Sequence, residues 1–271
     1  MIEVKNVTFG YTPYQQVLKD FSLHFREGGV YGLLGKNGTG KSTLLYLITG
    51  LLRPRQGSVW VDGNDSTRRN PDMLSELFIV PEEYDLPAIS LQSYVKAIRP
   101  FYPRFSQELL EKCLREFEMP MDINLGALSM GQKKKVYICI ALAANTKYLL
   151  LDEPTNGLDI LSKSLFRKVV VTGMSEEKTI IISTHQVHDV EQLLDHILIL
   201  DQRSLLLKAS VQELSEQYTF EYRTPQQMDD SVLYAEPTLQ GNAVIARRQE
   251  GDAETQINLE LLFNYKTQNN H

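Results

Sequence analysis

Cysteine is nearly absent: Cys113 and Cys139 are the only two in 271 residues. Two thiols cannot build the multi-bridge framework of a small secreted scaffold, nor a four-thiolate zinc site within one chain. Both lie in stretches with helical spacing, where they are expected to stay reduced. Long apolar runs are also missing. The longest, Leu44 to Leu52, includes Thr49 and Gly50 and falls well short of the ~18 residues of a membrane span. The opening residues, Met1 to Tyr11, lack the apolar stretch of a secretory signal, so a soluble cytosolic chain is expected. Internal repeats and low-complexity tracts are absent. The chain is 42% hydrophobic and 23% charged, which excludes wholesale disorder. Its length fits about two domains, or one large domain with an appendage.

A basic excess is missing too, and the acidic excess is local. Residues 1–210 carry 24 basic and 24 acidic side chains; residues 211–271 carry 4 and 10. The whole net charge of -6 therefore belongs to the tail. This marks 211–271 as an acidic C-terminal appendage and argues against nucleic acid as its partner, because phosphate would be repelled.

Periodicity divides the first 210 residues further. Ile2 to Phe9 and Val17 to Phe25 alternate as strands do. Val30 to Leu34 is a short apolar strand running into a glycine-rich loop. Thr43 to Leu52 follows with helical character, and Ser58 to Val61 and Leu77 to Val80 are further strand candidates. Between about 84 and 145 the texture turns helical, over Val95 to Phe101, Gln107 to Phe117 and Gly131 to Ala144. Three apolar strands then alternate with helical stretches: Tyr148 to Leu151, Thr179 to Ser183 and Ile197 to Leu200, separated by Ile160 to Met174 and Val187 to Leu194. That alternation predicts an α/β fold with a parallel sheet and crossover helices. In the tail, Val211 to Tyr218 and Leu259 to Lys266 read as helices. Thr219 to Arg223, Val232 to Tyr234, Ala243 to Arg247 and Thr255 to Asn258 read as strands.

Three motifs carry chemistry. The run Gly35-Lys36-Asn37-Gly38-Thr39-Gly40-Lys41-Ser42 matches the P-loop pattern GxxxxGK[ST]. Its glycines let backbone N–H groups turn toward phosphate oxygens, and a helix beginning at Lys41 adds its positive end. Lys41 can reach the outer phosphates and the Ser42 hydroxyl can ligate Mg²⁺. The apolar run Tyr148 to Leu151 ends in Asp152 and Glu153. A buried strand would deliver Asp152 to the sheet edge as a Mg²⁺ ligand and Glu153 as general base for an attacking water. Leu128-Ser129-Met130-Gly131-Gln132 precedes a helix, with Ser129 as a plausible N-cap. Lys133, Lys134 and Lys135 read as a solvated helix face rather than a nucleic-acid patch.

With these motifs, the Thr155-Asn156-Gly157-Leu158-Asp159 turn and Ser183-Thr184-His185 in one order, residues 1–210 resemble the ATP-binding cassette family of transporter subunits. The resemblance implies a P-loop NTPase with a RecA-like core, an N-terminal antiparallel β subdomain and an inserted helical subdomain, here followed by a small α+β appendage. It also implies site roles. Tyr11 would stack on adenine, with Tyr14 the weaker candidate. Gly35, Asn37, Gly38, Thr39, Gly40, Lys41, Ser42 and Thr43 would hold the phosphates of ATP. His185 would contact the γ-phosphate. Ser129, Gly131, Gln132 and Asp159 would act across the interface of a homodimer, or a pairing with a paralogous cassette, that sandwiches two ATP molecules. His188 and His196 match no catalytic position. Glu82 stands where the family usually has a glutamine that contacts Mg²⁺; a carboxylate keeps an oxygen ligand but adds negative charge.

The expected function is ATP hydrolysis with Mg²⁺, energising a separate transmembrane permease. The chain would then be cytoplasmic and peripheral on the inner face of the membrane. The style of Gly32 to Gly35 and of Thr155 to Asp159 is similar to the bacterial ABC-2 type exporter branch, which moves drugs, antibiotics, lipids or polysaccharides; an importer subunit is the alternative. A soluble cassette ATPase acting on chromosomes or ribosomes is a second class. It is disfavoured by the short span from Ser42 to Leu128, the single cassette and the neutral core. A non-hydrolysing regulatory cassette is disfavoured by the presence of both Glu153 and His185. The appendage is expected either to add packing or dimer contacts or to regulate.

Overall fold

Alternating apolar residues make β1 (Ile2–Phe9) the antiparallel neighbour of β2 (Leu18–Phe25), with Ile2 opposite Phe25 and Val4 opposite Leu23. The computed structural model describes residues 1–12, 14–239 and 241–268. The chain then enters β3 (Gly29–Leu34), the loop 35–40 and α1 (Lys41–Ile48). β4 (Gln56–Val61) and the two-residue β5 (Asn64–Asp65) return to the first sheet, whose order is β2-β1-β4-β5. α2 (Pro71–Ser75) leads into β6 (Leu77–Val80), followed by α3 (Leu91–Ile98), α4 (Gln107–Glu116) and α5 (Met130–Ala143). α4 shows why this region is helical. Ser106 caps it, accepting from Leu109 N, and Leu110, Cys113, Leu114 and Phe117 recur on one buried face. Both cysteines are free and buried, Cys113 in α4 and Cys139 in α5.

The second sheet holds β7 (Tyr148–Asp152), then, after α6 (Ile160–Thr172), β8 (Thr179–Thr184), β9 (His196–Asp201) and β10 (Ser204–Ser210). Its order is β10-β9-β3-β8-β7-β6. Five strands are parallel, and β10 closes one edge antiparallel to β9. In β7 and β8 every residue is buried, as sheets covered on both faces require. The C-terminal ends of β3, β6, β7 and β8 lie along one sheet edge and deliver the loop 35–40, Glu82, Glu153 and His185 there.

The appendage comprises α7 (Val211–Gln217), β11 (Tyr218–Arg223), β12 (Val232–Thr238), β13 (Gly241–Arg247) and α8 (Leu259–Gln268). Its antiparallel sheet has the order β11-β13-β12. The charge boundary at Ser210 has no counterpart in the interior. Leu214, Phe220, Ile245, Leu259, Leu261 and Leu262 belong to one continuous apolar core with Val187, Val190, Ile197 and Ile199. The acidic residues Asp229, Asp230, Glu250 and Glu254 stay on the exposed side.

Two expected elements differ. Val187 to Leu194 is not one helix but two 3₁₀ turns, 187–189 and 191–193. Val187, Val190 and Leu193 are buried at a spacing of three, which suits the three-residue period of that helix. Thr255 to Asn258 is not a strand; it meets β11 through the Thr255 hydroxyl, which accepts from Phe220 N at 2.8 Å.

His188 ties α8 to the loop after β8, with Nε2 2.6 Å from Glu260 Oε2. That hydrogen bond lifts the His188 pKa above its ordinary 6.5, against the lowering effect of partial burial. A raised value means the contact contributes fully below the unfolded pKa and is lost as pH rises through the folded one. We expect His188→Ala to lower the melting temperature slightly at about pH 5.5 and not at about pH 8.5, because both partners are largely exposed. An equal gap at both pH values would remove the ionic reading of this contact.

Candidate active site

The buried strand β3 ends against a loop that only glycine permits at its start. A Cβ on Gly35 would stand 2.6 Å from Thr39 Oγ1 and 2.7 Å from the Leu200 carbonyl oxygen. Gly38 and Gly40 take left-handed φ values of 82° and 101°. The loop closes on itself through Thr39 Oγ1, which donates to the Lys36 carbonyl at 2.9 Å. Asn37 lies exposed on it. Because Gly40 precedes α1, no side chain caps the helix, and its first N–H groups are available to an anion.

Lys41 is buried, and its Nζ donates to the carbonyls of Gly35 at 2.7 Å and Lys36 at 3.2 Å. The same nitrogen stands 3.5 Å from Glu153 Oε1. Burial lowers its pKa, while Glu153, Asp152 and Glu82 pull the other way. Tyr11 reaches this helix, with its hydroxyl 3.1 Å from Thr43 Oγ1 and its ring edge-on to Phe9. Tyr14 is 98% exposed.

β7 places Asp152 and Glu153 on either side of a bend. The Ser183 hydroxyl donates to Asp152 Oδ1. Asp152 Oδ2 is buried with no hydrogen bond of normal geometry. Burial pushes the Asp152 pKa up, partly offset by the Ser183 and Ser42 hydroxyls. Glu153 has φ of 45°, a backbone state that side chains disfavour. Its Oε1 lies 2.8 Å from His185 Nδ1 and 3.1 Å from His185 N. Its Oε2 accepts from Thr184 Oγ1 at 2.9 Å. Glu153 is thus a buried carboxylate fixed in one orientation by the Thr184 hydroxyl and the His185 N–H, next to the glycine-rich loop.

Glu82, just past β6, accepts from Asn156 Nδ2 at 2.9 Å through Oε1. Ser129 and Gln132 are joined in a capping box: Ser129 Oγ accepts from Gln132 N, and Gln132 Oε1 accepts from Ser129 N at 3.0 Å. A Cβ on Gly131 would lie 3.4 Å from the Gly157 carbonyl oxygen. Asp159 caps α6, with Oδ1 accepting from Ser162 N at 2.7 Å. Among the described residues no hydrogen bond joins Ser129, Gln132 or Asp159 to Lys41 or Glu153. Within one chain, then, two groups form: Lys41, Glu82, Asp152, Glu153 and His185 at the sheet edge, and the signature and 155–159 turns beside it. His196 stacks on Tyr31 with ring centroids 4.4 Å apart, outside both.

One expectation is overturned. Lys134 does not belong to a solvated face: it is 3% exposed, and its Nζ donates to the carbonyls of Glu153 at 3.1 Å and Asn156 at 3.0 Å. Asn156 and Gln186 were also missed; Gln186 Nε2 donates to Asn156 Oδ1 at 2.9 Å, linking the 155–159 turn to the His185 loop. A signal for Lys134 existed. It stands four residues before Ile138 and seven before Ala141, on the face of α5 that is buried.

The family described as ABC transporter matches residues 18–156. ABC transporter ATP-binding protein YtrB of Bacillus subtilis is 31% identical over 207 residues, spanning 75% of this chain and 70% of YtrB. Lantibiotic transport ATP-binding protein SrtF of Streptococcus pyogenes is 31% identical over 206 residues, spanning 73% and 85%. A solved ATP-binding subunit of an ABC transporter superposes with a TM-score of 0.70 at 27% identity, covering 79% of this chain and 91% of that one. The phosphate loop, the acidic strand end and the signature helix all fall inside the aligned region, and the chain belongs to the ABC transporter family as an ATP-binding protein.

Proposed function

We propose that this chain hydrolyses ATP with Mg²⁺ as one half of a cassette dimer and so drives a separate membrane permease in the export direction. The observation that carries the reading is the Glu153 carboxylate, buried within 3.5 Å of Lys41 and 2.8 Å of His185 at the edge that carries the phosphate loop. The uncapped start of α1 and the inward N–H groups would bind phosphate. Lys41 would exchange its own-loop carbonyls for phosphate oxygens. Glu153 would accept the proton of the attacking water, with His185 and Thr184 holding its orientation. The buried Asp152 Oδ2, beside the Ser42 hydroxyl and without a hydrogen bond of normal geometry, fits a hard cation that takes oxygen ligands. Magnesium there would neutralise charge on the phosphates; Glu82 is a further oxygen at the same edge. Tyr11 would stack on the base.

The dimer reading is supported by apolar side chains left in water around the signature: Met130 and Ile160 are 72% and 90% exposed. The Asp159 end of α6 lies in the same region, as a sandwich with ATP between facing cassettes requires. No helix among the described residues is long and apolar enough to cross a membrane; in this reading the permease is a separate polypeptide. An open groove of about 500 Å³ lined by Leu51, Leu74, Phe101, Tyr102 and Tyr137 offers it a docking face. Membrane attachment on the inner face would then come through that partner. Export rests on the likeness of the Gly32–Gly35 and Thr155–Asp159 runs to the exporter branch.

Association should depend on nucleotide. Light scattering on Glu153→Gln is expected to give a monomer alone and a dimer with ATP and Mg²⁺. A constitutive dimer indifferent to nucleotide would assign the association to the appendage instead. Purification of the tagged chain from solubilised membranes is expected to bring a permease polypeptide with it. Recovery only as free chain would overturn the transport reading.

A further inference from the structure

Neither phosphate binding nor water activation uses the buried ammonium on α5. Burying such a charge is costly unless it is paired and hydrogen-bonded. Lys134 spends two of its three donors on the carbonyls of Glu153 and Asn156. Those two residues bound a tight turn, closed by Asn156 N donating to the Glu153 carbonyl at 3.2 Å. The turn begins with Glu153 at φ of 45°. A strained backbone state at an active site persists only when its surroundings over-determine it. One restraint is Glu153 N, which donates to Ser183 O at 2.9 Å. The Lys134 clamp is the second, and it comes from the helix that follows the signature.

Glu82 grips the same turn from outside, through the Asn156 side chain at 2.9 Å. Burial lowers the Lys134 pKa, and of the three carboxylates that oppose this, Glu82 acts most strongly, ahead of Glu153 and Asp152. Lys134 and Glu82 line one open cleft of about 500 Å³. Both charges meet the turn at one residue: Lys134 donates to the Asn156 carbonyl at 3.0 Å and Glu82 accepts from the Asn156 side-chain amide at 2.9 Å.

We propose that Lys134 is a positioning residue: it clamps the 153–156 turn so that the Glu153 carboxylate points at the reaction, and its charge balances Glu82. The proposal rests on Glu153 being the base. Lys134 touches the base's backbone and not the phosphate loop, so it should act on turnover rather than on nucleotide affinity.

The test is steady-state ATPase kinetics and nucleotide binding for Lys134→Met, Lys134→Arg and Lys134→Gln. Lys134→Met keeps the stem and removes the donors and the charge. Its kcat is expected to fall about tenfold to a hundredfold, the scale of a misplaced catalytic group. The KM for ATP is expected to stay within about threefold. Lys134→Arg keeps donors and charge and should recover most of the loss; Lys134→Gln, with donors alone, should recover less. If Lys134→Met does not fold, the comparison of Gln with Arg carries the same test. Combining Glu82→Gln with Lys134→Met should cost less than the two single effects together, because the unbalanced carboxylate is gone. An unchanged kcat in Lys134→Met, losses in kcat and affinity that Arg does not rescue, or strictly additive effects with Glu82→Gln would overturn the proposal. Glu153→Gln separates the two readings. If it turns over like wild type, the base assignment fails; if it is inactive while Lys134→Met is normal, only the positioning role fails.

Discussion

Glu153→Gln is expected to lose ATP hydrolysis by about a hundredfold to ten-thousandfold, the usual weight of a general base, while still binding ATP. The amide has the shape of the carboxylate and can still accept from the Thr184 hydroxyl, which donates to Oε2 at 2.9 Å. What it lacks is the basicity to take a proton from water. It also removes the negative charge that holds Lys41 Nζ at 3.5 Å, so Lys41 is freer to meet phosphate and nucleotide affinity should not fall. Phosphate release and nucleotide titration on the same preparation make the measurement. Hydrolysis within a few-fold of wild type, with binding intact, would exclude Glu153 as the base.

Lys41→Met should act on the other quantity, affinity. An ammonium to phosphate hydrogen bond is charge-assisted, and losing one costs about 1.5–3 kcal/mol, or roughly tenfold to a hundredfold in Kd. In the nucleotide-free chain the lysine is less costly to remove. Its burial already disfavours the charged form, and the Glu153 carboxylate that it faces keeps the Thr184 hydroxyl and the His185 N–H as donors. The fold should therefore survive. Thermal melting reads both effects together. Saturating ATP should raise the melting temperature of wild type, as any ligand selective for the native state does. At the same concentration it should raise that of Lys41→Met far less. Equal shifts would mean that the backbone cradle binds phosphate without this side chain.

Local patterns were enough for most of the architecture. Leu77–Val80 and the start of α4 at Gln107 lie where apolar spacing puts them, because a buried strand and a one-faced helix each leave a fixed period in the chain. The expected single helix over Val187 to Leu194 failed. A spacing of three is close enough to 3.6 over one turn to hide two 3₁₀ turns. β10 escaped notice because its leucines, 205–207, are half-buried and do not alternate. The charge step at Ser210 described the surface only: α8 and the appendage sheet share the apolar core of the first 210 residues.

The glycine-rich loop, the carboxylates closing an apolar strand and the signature before α5 were readable from the sequence alone, and with them the ATP-binding family. Each is contiguous, and each needs particular residue types in a row: glycine where φ is positive, and a carboxylate where a buried strand reaches the sheet edge. Which side chains surround Glu153 was decided only by the tertiary structure. Lys134, Asn156, Gln186 and Glu82 come from α5, the 155–159 turn, the His185 loop and the end of β6. They converge because the parallel strands β3, β6, β7 and β8 bring their C-terminal ends to one edge. Lys134 reads as surface in a run of three lysines, since charge favours water. It is buried because α5 turns that position inward, onto two backbone carbonyls that no sequence spacing displays.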